Sequence, residues 1–139
     1  PDYKTVFRDR VVHMDLDRIP ASQDDDVIAA MYDDHAAPYS EAEFDPVVNY
    51  IRTLVDMLRT KGASVYFVRL PTAGAVRELE EAMFPRERFW DVLEASVDAS
   101  FIHYEAYPQL SGFVSHDGSH IDASRIVEFT TRLSEVLER

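Results

Sequence analysis

The chain has 139 residues, 46% of them hydrophobic, and its 26 acidic against 14 basic side chains give a formal charge of -12. That length fits one domain, residues 1–139, with an ordinary core, and the negative excess repels phosphate backbones, which argues against nucleic acid as a partner. The absence of cysteine excludes disulfides, thiolate catalysis and cysteine-ligated metal, and leaves the compartment open.

No apolar run approaches the roughly 20 residues needed to cross a bilayer, and no charged-then-apolar signal opens the chain, so no membrane insertion of this segment is expected. Pro1 in place of an initiating methionine leads us to expect an N-terminus made by processing or cleavage. Apolar positions between Val6 and Met14 predict a short strand around Arg10 to Met14. Residues 15–43, with Pro20, Pro38 and Asp24-Asp25-Asp26, read as an acidic excursion outside the core layers, holding one short helix from Val27 to Asp34. The carboxylates of Asp15, Asp17, Asp24, Asp25, Asp26, Asp33 and Asp34, with His35, invite a metal reading. They lack the spacing and glycine of a calcium loop, so a solvated surface is expected and no metal or cofactor is assigned.

Two N-terminal signals compete for the next helix: a capping box at Ser40 and Glu43, and Asp45 followed by Pro46. The second is preferred. Val47, Ile51, Leu54, Val55 and Leu58 recur at helical steps, and Gly62 supplies the left-handed stop. Val65 to Leu70, closed by Pro71, then reads as a strand covered on both faces. Two helical patterns follow, one with Val76, Leu79 and Met83, the other with Phe89, Trp90, Leu93 and Val97 beyond the break at Pro85. Ser100 to Tyr104 is a second strand. After a loop through Pro108 and Gly112, Asp122 caps a last helix with Ile126, Phe129, Thr130, Leu133 and Leu137 on its buried stripe. This alternation predicts a mainly parallel sheet between helices, with sites beyond the C-terminal strand ends. Two firm strands and one weak one fall short of the usual five or so, so the sheet is expected to be incomplete.

The run His116-Asp117-Gly118-Ser119-His120-Ile121-Asp122 carries the chemistry. Asp117 sits three positions ahead of His120 at a helix entrance, as a carboxylate orienting a general base does. A turn at Asp117-Gly118 with the histidine packed against the last helix accounts for the same residues structurally. Ser111, Ser115 and Ser119 are the nearest hydroxyls, and none lies on a glycine-flanked elbow. Thr72 and Gly74 follow the first strand and are expected to shape a binding edge. Arg69, out of place in a buried strand, reads as an anion contact or as the partner of a buried carboxylate. Phe84, Phe89 and Trp90 serve either as an aromatic wall or as core.

From Tyr66-Phe67-Val68-Arg69-Leu70-Pro71 through Phe84-Pro85-Arg86, Phe89-Trp90-Asp91 and the 116–122 motif to Phe129-Thr130, residues 45 to 139 resemble the C-terminal half of SGNH (GDSL-like) hydrolases. The likeness is to the branches of acyl esterases and acyltransferases with an Asp-x-x-His motif before the final helix. It implies a three-layer α/β/α fold of flavodoxin-like topology, and acyl ester substrates, often on carbohydrate. It gives Asp117 the orienting role and His120 the role of base. The family's nucleophile sits in a Gly-Asp-Ser motif after its first strand. This sequence holds no Gly-Asp-Ser, and its single asparagine, Asn49, lies inside a predicted helix. The resemblance therefore implies half of a triad and no turnover by this chain alone. A non-catalytic module, self-associating or completed by a partner chain at the open sheet edge, is the competing class.

Overall fold

The computed structural model describes residues 4–6, 12–14, 40–114 and 118–138. Strands β1 (Lys4–Val6) and β2 (Val12–Met14) pair antiparallel, with Thr5 opposite His13. The expected strand around residue 12 is thus present over Val12–Met14, while Arg10, the Val27–Asp34 helix and the acidic residues 15–35 lie outside the described residues.

Helix α1 (Glu41–Thr60) starts at the capping box and not at Asp45. Both the backbone N–H and the hydroxyl of Ser40 donate to Glu43 Oε2 at 2.8 Å. Those bonds hold the Glu43 carboxyl below the usual carboxylate range. Starting earlier makes Phe44 helical and sets its ring edge-to-face on Phe89, centroids 4.9 Å apart. Pro46 therefore falls inside the helix, without an N–H for the carbonyl of Ala42, and residues 41–43, expected in the acidic excursion, are helical instead. The buried stripe is also turned from the one expected: Val48 and Val55 are buried, whereas Val47 and Leu58 are exposed. Gly62, at φ +84°, donates to the Arg59 carbonyl and ends the helix.

The chain then forms β3 (Tyr66–Arg69), α2 (Gly74–Met83), a 3-10 turn at Arg86–Arg88, α3 (Trp90–Ser96) and β4 (Ser100–His103). β3 and β4 are parallel neighbours in the register Tyr66↔Ser100, Phe67↔Phe101, Val68↔Ile102, Arg69↔His103. Among the described residues this parallel sheet has two strands. Mixed α/β structure with a parallel sheet is what the sequence predicts. Full cover over β3 is not: Tyr66 and, just past the strand, Leu70 each keep 45% of their surface exposed.

Side chains alternate between the faces of a strand, so the register puts Val68 and Ile102 on one side and Phe67, Arg69, Phe101 and His103 on the other. Ile102 belongs to the core cluster with Tyr104, Leu110, Phe113, Phe129 and Val136, against which Val68 packs. Phe129 and Val136 come from α4 (Ile126–Leu137), which thereby lies on the Val68–Ile102 side. On the opposite side Phe67 stacks on Phe101 at 4.8 Å, and Trp90 of α3 meets Phe101 edge-on at 5.5 Å.

The last helix differs from its expected form in two ways. Asp122 caps a 3-10 turn, Ala123–Arg125, by accepting from the Ser124 N–H, and α4 begins only after that turn. Ile126 is 52% exposed and Thr130 is also exposed, so the buried stripe is Phe129, Leu133, Val136 and Leu137. The extra 3-10 turn rotates Ile126 out of the core.

Candidate functional site

Beyond the C-terminal ends of β3 and β4 lies a cavity of about 590 Å³. Arg69 and His103, the last residues of the two strands, enter it from the Phe67–Phe101 face. Helix α2 contributes Arg77, Glu80 and Glu81, and its C-cap residue Phe84 continues their stripe at helical spacing. α1 adds Phe44 and Val47, α3 adds Trp90 and Leu93, and Arg86, Phe89, Tyr104 and Glu105 complete the lining with Thr72.

The aromatic side is a chain of edge-to-face rings: Phe44 on Phe89, and Phe84 on Phe89 at 5.3 Å. Trp90 is braced at 5.2 Å from His103. The polar side is a lattice of ion pairs. Arg69 pairs with Glu80, whose Oε2 also accepts from Thr72 Oγ1 at 2.8 Å. Glu105 bridges two cations, taking Arg77 Nη2 on Oε1 at 2.5 Å and Arg86 Nη1 on Oε2 at 3.4 Å. Arg77 also holds Glu81 at 2.7 Å, and Arg86 holds Asp91 at 3.1 Å. Hydrogen bonding to Glu81 and to Asp91 raises these two guanidiniums further above their already high range.

His103 Nδ1 accepts the backbone N–H of Glu105 at 3.3 Å, which leaves the proton of a neutral ring on Nε2. Burial lowers its pKa, and the charges of Arg86 and Arg69 act in the same direction. The Tyr104 hydroxyl is pushed up, chiefly by burial. The cavity therefore holds a neutral imidazole and a protonated phenol beside arginines that are already matched by carboxylates.

The 118–120 loop reaches the N-terminal end of α2, which follows β3. Gly118, at φ +73°, accepts the Ala73 N–H on its carbonyl at 3.0 Å. Its backbone lies so near that a β-carbon there would come within 2.5 Å of the Ala73 oxygen and 3.2 Å of Val76. Val76 lies one helical turn before Glu80 of the cavity lining, and Ala73 directly follows Thr72 of the same lining. His120 is exposed, with Ser119 Oγ 2.9 Å from its Nδ1. That nitrogen is the one a triad carboxylate engages.

Of the residues predicted from sequence, Arg69 and Thr72 meet at Glu80 in the cavity. Arg69 is the partner of a half-buried carboxylate, one of its two anticipated roles. Phe84, Phe89 and Trp90 form wall and packing at once. Gly74 opens α2 at φ +56° and, like His120, is not part of the lining. Asp117, with His116 and Ser115, lies outside the described residues. Sequence reading missed Phe44, Arg77, Glu80, Arg86, His103 and Glu105. The alternation of charge at Arg77, Glu80 and Glu81 on one helical face, next to a strand ending in arginine, is the signal that marks them.

Comparison of the chain with family models, curated proteins and solved structures finds no match. No helix among the described residues is long and apolar enough to cross a membrane.

Proposed function

We propose that this chain is an SGNH-hydrolase-like domain carrying the acid-base half of an acyl-transfer site. In this reading His120 is the base and Asp117 the group that orients it. The substrate is an acyl ester, on a small molecule or a carbohydrate, whose non-reacting part is held at the strand ends by Arg69 and Thr72, with Gly74 shaping the edge. The parallel pair β3–β4 is the remnant of a three-layer α/β/α sheet, a reading supported by α4 on one side of it and α3 on the other.

The observation that carries the proposal is the docking of Gly118 onto Ala73, immediately past β3. It brings an exposed imidazole to the edge of a parallel sheet where α/β folds gather their sites. A base so placed needs a nucleophile, and no serine among the described residues sits on an elbow with aligned backbone donors. The isolated chain should therefore hydrolyse an aryl acetate only at the background rate, and His120→Ala should leave that rate unchanged. Turnover above background that disappears in His120→Ala would contradict the half-site and direct attention to Ser119, the hydroxyl already 2.9 Å from the ring.

A second reading, an accessory module completed by a partner chain or another copy, is favoured by the exposure of Tyr66 and Leu70 along β3. Strand addition there covers both residues. A sedimentation measurement over a range of concentrations tests the self-associating form of this second reading: that form requires association, and a monomer throughout removes it.

A further inference from the structure

The lining of the cavity at the ends of β3 and β4 does not include the 118–120 loop, and that lining defines what the cavity takes. The charges facing it are Arg69, Arg77 and Arg86 against Glu80, Glu81 and Glu105, three of each sign, each arginine bonded to a carboxylate. An anionic ligand would leave the lining with an uncompensated negative charge, and a cationic one with an uncompensated positive charge; either disturbs a balance already met by charge-assisted pairs, although each guanidinium keeps spare N–H donors. An uncharged hydroxyl does neither. It accepts from a guanidinium and donates to a carboxylate without disturbing the balance. The same lining holds the rings of Phe44, Phe84, Phe89 and Trp90, with Phe44 and Phe84 each edge to face on Phe89, an array that another aromatic ring extends at similar spacing. The volume of about 590 Å³ falls in the range of small-molecule sites, about 300–1,000 Å³.

We infer that the cavity binds an uncharged aromatic ligand bearing a hydroxyl at one end, its ring against Phe84, Phe89 and Trp90 and its hydroxyl on the Arg77–Glu105–Arg86 lattice. This goes beyond the acyl-transfer reading and does not depend on it, since neither residue 117 nor residue 120 takes part.

Trp90 is the only tryptophan in the sequence, so indole emission reports on the cavity directly. The full chain is titrated with phenethyl alcohol, hydrocinnamate and phenethylamine, three probes sharing a phenethyl skeleton and differing in charge. Phenethyl alcohol should shift Trp90 emission saturably, and each charged probe should bind at least about tenfold more weakly. Phe84→Ala, at the exposed rim, should weaken the alcohol about fivefold. Glu105→Gln removes one carboxylate from between Arg77 and Arg86 and should bring hydrocinnamate within about twofold of the alcohol, with phenethylamine weaker still. A missing saturable response to the alcohol, equal affinity for the three probes, or Phe84→Ala and Glu105→Gln both binding as wild type would each overturn the inference. Esterase activity, present or absent, does not bear on these titrations.

Discussion

Replacing Gly118 by alanine puts the docking of the His120 loop under direct strain. The residue sits at φ +73°, a left-handed conformation that costs a side-chain-bearing residue about 1–2 kcal/mol. The new β-carbon would stand 2.5 Å from the Ala73 carbonyl oxygen, a backbone atom that cannot swing aside as a flexible side chain does. Relief requires the loop to withdraw from α2, which breaks the Ala73 N–H to Gly118 bond, worth about 1 kcal/mol. The sum, about 2–3 kcal/mol, corresponds to a fall of about 6–12 °C in Tm for a chain of this size. Gly62→Ala is the control: its φ is +84°, but no atom lies within 4 Å of the added carbon, so it carries the conformational cost alone, about 1–2 kcal/mol. Melts of both variants by circular dichroism decide the matter. Equal losses in the two would refute the close approach of loop and strand end.

Leu110, 1% exposed within the α4 core, should cost about 3–4 kcal/mol when cut to alanine, read as a lowered urea midpoint at unchanged slope. Glu80→Gln leaves Arg69 without its carboxylate; because the two side chains are 36% and 20% exposed, the loss should be limited to about 1–2 kcal/mol by solvent screening, measured the same way. His103 predicts a pH dependence whose sign is fixed by its lowered pKa. The unfolded chain takes up the proton at about pH 6.5 and the folded chain only at lower pH. This contribution is therefore neutral above the unfolded value, and stability falls as pH drops from there toward the folded value. Melts from about pH 7 to pH 5 should show that decline, with His103→Gln making it shallower; an unchanged slope would dissociate the histidine from it.

Much of the fold is written in local pattern. The apolar steps of α1, the glycine after it, the β-rich run before Pro71 and the break at Pro85 each act within a few residues, so helix, turn and strand follow from sequence. Competition between two valid signals is harder to resolve: the helix takes the Ser40–Glu43 capping box, and the Phe44–Phe89 contact that accompanies that start, between residues 45 positions apart, is not encoded in the Asp45-Pro46 pair. The same holds at the other end, where a 3-10 turn at Ala123–Arg125 shifts the buried stripe off Ile126. The 116–122 run stands out because its residue types are chemical and adjacent. The cavity is hidden because it forms only when β3 and β4 align Arg69 with His103 and α2 turns its charged stripe toward them. From sequence, Arg69 as a charge inside an apolar strand, Thr72 just past it, and the aromatic residues Phe84, Phe89 and Trp90 pointed to it.

The functional reading rests on the loop before α4 being fastened to the end of β3, and native-state amide exchange at Ala73 tests that most directly. Its N–H donates to Gly118, so the account predicts protection comparable to the amides pairing β3 with β4. Exchange at Ala73 as fast as at an exposed, unbonded amide would contradict it.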